Sequence, residues 1–346
     1  MDKAEGRNQT PIMEFIILGF GIGSELQPLL FLVFLVIYIV IVAGNLLIIA
    51  LVVSDHNLHT PMYFFLGCLS FLEICYTSVF LPRLLDGLLT GERTICYTSV
   101  FLPRLLDGLL TGERTVSVQG CIMQLYFFGG LSTTETFLLT AMSYDRYLAI
   151  CHPLRYAALM NGRVCGHMVA ASWIGGFLVV TLANSFLWQL TFCGSREIDH
   201  FFCDFSPMIK LSCDDTRTVE LVTTIVAAIG ALVPCLLTLT SYVCIITSIL
   251  RIPSSTGRQK AFSTCSSHLM VLTVFYVGVI TVYVVPIAST SKALHKILSV
   301  FYIVLTPLMN PVIYSLRNKE LRESLRKAVQ KLVAYGNGHR EFRDTF

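Results

Sequence analysis

The sequence predicts an all-α membrane protein, a bundle of seven transmembrane helices with its N-terminus outside. Three observations carry this. Hydrophobic residues make up 54% of the 346 and charged residues only 14%, a balance too apolar for a soluble domain of this length. Seven stretches, 29–53, 61–84, 120–150, 167–190, 219–250, 263–285 and 296–316, are long enough to cross a bilayer as helices, which takes ~20 apolar residues. Lipid offers open backbone groups no partner, so these spans close their hydrogen bonds within helices. The basic residues are the third observation. Arg155, Arg163, Arg251, Arg258 and Lys260 follow spans three and five, and Arg317, Lys319, Arg322, Arg326, Lys327 and Lys331 follow span seven. Seven crossings put all of them on one side, which the positive-inside rule makes cytosolic. The net charge of +3 therefore reflects topology, and a nucleic-acid partner has no support.

Residues 1–28 read as an extracellular tail, 29–316 as the seven-helix domain and 317–346 as a cytosolic tail. The N-terminal tail mixes Asp2, Lys3, Glu5 and Arg7 with a short apolar patch. That is no cleavable signal peptide, and span one can serve as the targeting signal. Asn8-Gln9-Thr10 is a glycosylation sequon on the outer side, followed directly by Pro11. Span one is an apolar run with Gly44-Asn45 at mid-depth, and span two opens at LHTPMY (58–63) and carries Glu73. Span three runs from Cys121 past Glu135 to MSYDRYLAICHPLRY (142–156). An arginine at that depth is costly unless it is paired or at the boundary, so Arg146 is a functional candidate. The loop after span four holds Cys193, Cys203 and Cys213, spaced by ten. Span five contains Pro234 and ends at Ser241-Tyr242. KAFSTCSSHL (260–269) starts span six, and PLMNPVIY (307–314) ends span seven. Pro234, Pro307 and Pro311 remove backbone donors within helices, which permits kinks where motion can concentrate.

Residues 74–94 recur without a change at 95–115, as ICYTSVFLPRLLDGLLTGERT. Two adjacent copies do not make a solenoid. The uncharged part of the second copy, 95–102, is too short to cross, and Pro103, Arg104 and Asp107 follow it. An extra crossing would also put the Asp145-Arg146 end and the basic tail on opposite sides. The first copy therefore continues span two in register, and the second enlarges the first extracellular loop.

Residues 142–156 and 260–269 together resemble the signatures of vertebrate odorant receptors, a branch of the rhodopsin-like G-protein-coupled receptors. The resemblance runs from Gly44-Asn45 to the tail. The chain departs from the family at Glu73, where Asp is usual, at Val277, where Gly usually follows the tyrosine, and in the second copy of the repeat. The resemblance implies a multi-pass plasma-membrane receptor, with a short amphipathic helix on the cytosolic side after span seven. It implies a small-molecule odorant, surrounding lipid and a stimulatory G protein that raises cAMP. Asp145, Arg146, Tyr147, Tyr242, Asn310, Pro311 and Tyr314 carry over as the coupling set. Asp145 would hold Arg146 in the inactive state, and span six would move outward on activation while Tyr314 swings inward. The carried-over ligand set is Phe128, Gly129, Ser132, Thr133, Val226, Ala227, Gly230, Tyr276, Val279, Ile280, Tyr283, Val300 and Ile303. That lining is apolar with a few hydroxyls, which suits a small, mostly neutral organic molecule.

Four cysteines outside the membrane allow three pairings, and the oxidising compartment permits disulfides. The resemblance implies Cys121–Cys203 and Cys193–Cys213. Glu73 and Glu135 are carboxylates within the bundle, and two facing carboxylates in a dry site cannot both ionise cheaply. Either one is protonated in a neutral hydrogen-bonded pair, or a cation sits between them. The resemblance implies Na⁺ with Asn45 and Asn310 nearby, and no cofactor is required. Cys265 and His268 share a face of span six. A copper or zinc site with Glu135 is the weaker reading there, because the ligands for a tetrahedral site are missing. A histidine bonding to a neighbouring helix is the stronger one.

No soluble catalytic constellation is visible, so an enzyme is not expected. Two alternatives compete with the receptor. One is a receptor-derived chain that no longer signals because of the duplication. The other is a heptahelical transporter or retinal protein. Retinal chemistry needs a buried lysine in span seven, whereas Lys292 and Lys296 stand at its outer entrance and Val304 occupies the matching deep position.

Overall fold

The computed structural model describes residues 12–17, 25–90, 116–193, 195–200, 202–279 and 292–330. Asn8, the second copy of the repeat, Ile280, Tyr283 and the tail from 331 onward lie outside the described residues.

In chain order the elements are β1 (Glu14–Ile17), α1 (Gln27–Ser54), α2 (Pro61–Thr90), β2 (Val116–Ser117), α3 (Val118–Cys151) and α4 (Pro153–Leu159). They continue with α5 (Gly162–Leu187), β3 (Glu197–Ile198), α6 (Phe205–Ile209), α7 (Arg217–Leu250), α8 (Ser255–Val279) and α9 (Lys292–Arg317). Residues 319–330 form a final helix, α10. Spans one to seven are α1, α2, α3, α5, α7, α8 and α9. Five of them contain long apolar windows by composition alone, and α8 qualifies as two pieces meeting at 45°. Helix α3 is not among them, and it is the central pole of the bundle. It packs against α2, α5, α7 and α8, so much of its surface meets protein rather than lipid. The converse holds on α1 and α7, where Leu32, Val36, Ile39, Leu232, Leu236 and Leu239 project outward to the hydrocarbon.

Glycine sets the closest helix contacts. A Cβ on Gly176 of α5 would stand 2.7 Å from the Thr134 backbone nitrogen, so α3 and α5 touch backbone to backbone. A Cβ on Gly44 would stand 2.9 Å from Pro311 Cβ, which seats α1 on the proline of α9. Asn161 Oδ1 accepts from the Arg163 and Val164 amides and starts α5. Helix α10 is fastened in the same way: Asn318 Oδ1 accepts both the Leu321 amide and the Tyr63 hydroxyl, at 3.1 and 2.9 Å. Leu321 and Ser324 are buried, and Leu325 and Ala328 pack on the core, so α10 is amphipathic in its contacts. The inner first loop meets it too. Asp55 is held below its ordinary range first by the Asn57 amide and then by the Ser324 hydroxyl.

The outer end carries a small sheet in the order β2-β1-β3. Strand β1 runs antiparallel to β2 and parallel to β3. Part of the expected N-terminal tail is therefore a structural strand. Phe15 is fully buried and meets Phe192 edge-on at 5.3 Å. With Ile12, Ile198, Met208 and both halves of the Cys121–Cys203 bond it forms a second hydrophobic cluster, separate from the bundle core. Replacing Phe15 by Ala should cost about 3–5 kcal/mol, the usual penalty for emptying a buried aromatic site. The expected result is a clear fall in surface-labelled receptor; unchanged surface level and thermal stability would contradict the role given to β1.

Candidate ligand and signalling site

The cytosolic end of α3 is closed. Arg146 Nε donates to Asp145 Oδ2 at 2.9 Å and Nη2 reaches the same oxygen at 2.5 Å. The Tyr156 hydroxyl, on α4, donates to Asp145 Oδ1 at 2.8 Å. Asp145 is completely buried, so its two oxygens are both served within the protein. Tyr156 is in the motif run, but its role as the second donor was not read from the sequence. Burial, then the Asp145 anion, raises its phenol above the ordinary range. Tyr147 turns away from this pair, with its Oη 3.0 Å from His152 Nε2.

Across the bundle, Tyr242 Oη and His268 Nδ1 share a 2.8 Å hydrogen bond that joins α7 to α8. His268 thus bonds a neighbouring helix, and no cluster of three or more metal-ligating side chains occurs among the described residues. Tyr314 on α9 is fully buried, and its hydroxyl has no partner. It sits below Pro311 on the helix that Gly44 receives.

The middle layer holds the acids. Asn310 Nδ2 donates to Glu73 Oε1. Glu73, Glu135 and Asn45 are all buried, and the two carboxyls lie within electrostatic reach of each other. Glu73 Oε2, Glu135 Oε1 and Asn45 Oδ1 accept no hydrogen bond.

The outer layer is where the ligand set falls. Ser132 Oγ and Tyr302 Oη are 3.3 Å apart and join α3 to α9. Phe128 stacks on Tyr76 at 5.2 Å and meets Phe202 of the second outer loop at 5.2 Å. Ile303 is buried in the core, and Val279 and Val300 pack against it. The other expected residues stand elsewhere. Gly129 faces Val180 of α5, and Gly230 faces Val179 and Thr133, so these glycines serve helix packing. Ala227 is on the exposed side of α7, while Val226 is half-buried. Tyr276 points to α7, its Oη 3.4 Å from Thr238 Oγ1. Gly278 allows the Tyr302 ring to lie where a Cβ would be 2.5 Å from Cδ2. Both outer disulfides form, Cys121–Cys203 and Cys193–Cys213, with Cα atoms 5.4 and 5.8 Å apart. Sequence reasoning missed Tyr302, Asp199 and Lys296. The spacing of 296, 300 and 303 along one helical face was the signal for the last of these.

The family model described as olfactory receptor matches residues 34–106 and 97–332. The two matches overlap at 97–106, inside the second copy of the repeat. Human olfactory receptor 6B3 is 45% identical over 93% of this chain and 91% of its own length. Human olfactory receptor 6B2 is 45% identical over 94% and 97%, and mouse olfactory receptor 5AP2 40% identical over 95% and 97%. Squid rhodopsin shares the fold, with a TM-score of 0.64 at 16% identity, covering 90% of this chain and 87% of that one.

Proposed function

The chain belongs to the olfactory receptor family, and we propose that it couples a small, mostly apolar odorant in the outer bundle to a stimulatory G protein that raises cAMP. It is an odorant receptor and a multi-pass protein of the plasma membrane, not an enzyme. The closed Asp145–Arg146–Tyr156 group supports the coupling reading most directly. An arginine held by a fully buried carboxylate is unavailable to a cytosolic partner. Movement of α8 away from α7 would break the Tyr242–His268 bond and open the space beside Arg146. A ligand drives this only through a difference in affinity for the two states. The ligand residues are Phe128, Ser132, Val279, Val300 and Ile303, with Tyr302 added. Asn310, Pro311 and Tyr314 carry the change along α9 to the G-protein face.

The reading extends to Na⁺. Three buried oxygens without donors, on Glu73, Glu135 and Asn45, fit a hard cation, which takes oxygen ligands. Purified receptor should melt at a higher temperature in sodium chloride than in choline chloride of equal ionic strength, and Glu73→Gln should remove the difference. Equal melting in both salts would mean that the acids form a neutral hydrogen-bonded pair.

The test of the whole reading is a cAMP assay of surface-labelled cells against an odorant panel, with and without residues 95–115. The repeat sits beside Cys121 and away from the inner motifs, so its burden falls on trafficking or ligand entry. Its deletion should raise surface level or odorant potency. Equal behaviour of the two chains would show the insert to be a passive loop. A deletion chain that reaches the surface and responds to no odorant in the panel would count against the receptor reading.

A further inference from the structure

The lipid-facing side of the bundle carries a groove of about 620 Å³ between α3, α5 and α7. Small-molecule sites have volumes of about 300–1,000 Å³. On α3 the lining runs from Phe137 to Tyr147, about 15 Å along the axis. That is the depth of one leaflet in a hydrocarbon core ~30 Å thick. It is the cytosolic leaflet, because Tyr147 directly follows Arg146. Ile229, Val233 and Leu237 form much of the α7 wall and are 48%, 50% and 55% exposed. The groove therefore opens sideways to lipid, and molecules dissolved in the bilayer reach it.

Its polarity is graded along the axis. The mid-membrane end is Phe137, Ile229, Val233 and Pro234, and the cytosolic end is Tyr144, Tyr147, Thr240, Ser241 and Cys244. No charged side chain lines it. Most of its hydroxyls are already engaged. Thr140, Ser172, Thr240 and Ser241 each donate to a carbonyl one turn back on their own helix. The Tyr147 hydroxyl pairs with His152. Tyr144 is 43% exposed and its ring lies 6.2 Å from that of Tyr147. Its hydroxyl alone among these has no hydrogen-bond partner among the described residues. Behind the groove, Thr140 Oγ1 stands 3.4 Å from both Pro234 O and Thr238 Oγ1, joining α3 to α7 at the proline that interrupts α7.

We propose that this groove is a sterol site, with the sterol hydroxyl on Tyr144 Oη and the ring system lying up α7 toward Pro234. The lining selects this occupant over the other lipids around it. A phospholipid headgroup finds no counter-charge there, whereas a neutral hydroxyl meets a phenol that has no other partner in hydrocarbon. A flexible acyl chain gives up rotamer freedom to lie in a fixed groove, and a fused ring system has little to lose. The graded lining also sets the orientation, hydroxyl toward the cytosolic surface. The occupant packs across α3, α5 and α7 over the Thr140–Pro234 contact. The site is separate from the outer ligand layer and does not depend on which odorant binds there.

The test uses purified full-length receptor in phosphatidylcholine nanodiscs, a diazirine-bearing cholesterol and peptide mapping. The label should fall within 137–147, 168–172 or 229–244. Cholesterol should displace it at concentrations at least about tenfold below those of cholestane, the same ring system without the hydroxyl. Tyr144→Phe should erase that preference. Ala171→Trp, at an exposed position that lines the groove, should fill it and abolish the labelling. Tyr144 is itself half-exposed, so its variant serves if Ala171→Trp does not fold. Labelling confined to other segments overturns the proposal, as does equal displacement by cholesterol and cholestane. A hydroxyl preference that survives Tyr144→Phe, or labelling that survives Ala171→Trp, does the same. Displacement by added phosphatidylcholine as strong as by cholesterol would make the occupant an ordinary lipid chain. Labelling that falls as receptor density in the bilayer rises would make it a second copy of this chain. Either result overturns the sterol assignment.

Discussion

Arg146→Ala should abolish odorant-evoked cAMP per surface receptor while leaving odorant binding in place. Among the described residues the guanidinium hydrogen-bonds to Asp145, and it lies far from the outer ligand layer. On the proposed coupling reading its contact with the G protein would exist only in the open state, and such a differential contact shifts the equilibrium. The substitution also leaves Asp145 buried with Tyr156 as its remaining donor. Removing one partner of a buried pair costs about 3–5 kcal/mol, so surface level should fall too. The response must therefore be divided by labelled surface receptor. A normal response per receptor would remove Arg146 from the coupling role.

Cys121→Ser should be the most damaging single change outside the membrane. The Cys121–Cys203 bond closes a loop of 82 residues, whose release into the unfolded chain corresponds to about 4–5 kcal/mol. Its sulfurs also lie inside the outer hydrophobic cluster with Phe15, Ile122 and Leu125. Cys193–Cys213 closes only 20 residues, worth about 3 kcal/mol by the same reasoning, and lies nearer the surface. Surface labelling and thermal melting should rank Cys121→Ser well below Cys193→Ser. The reverse ranking, or native behaviour of Cys121→Ser, would contradict the structural weight given to the outer cap.

The bundle was legible in the sequence because lipid imposes one solution on a long apolar segment. Both disulfides came from the resemblance, and the structure contains them; residues 319–330 after span seven are helical. What the sequence did not disclose depends on contacts between distant segments. Strand β1 is four residues long, and only pairing with β2 and β3 distinguishes it from a tail. Tyr156 lies eleven positions from Asp145, and the turn between α3 and α4 brings its hydroxyl back. Gly129 and Gly230 stand in the outer halves of their spans, but the Val180 and Val179 side chains of α5 pack over them. Lys296 reads as an entrance lysine by position, and only the loop folding over it with Asp199 makes it a buried cation.

The central claim, that this chain is a signalling receptor held closed by the Asp145 carboxylate, has a test that needs no odorant. Asp145→Asn removes the charge that retains Arg146 while keeping an oxygen that can accept from Tyr156. Basal cAMP is measured at matched surface level in the native chain, in Asp145→Asn, and in Asp145→Asn combined with Arg146→Ala. A rise of several-fold in the single variant, lost again in the double variant, is the predicted result. Basal cAMP that stays at the native level in Asp145→Asn at equal surface level would contradict it.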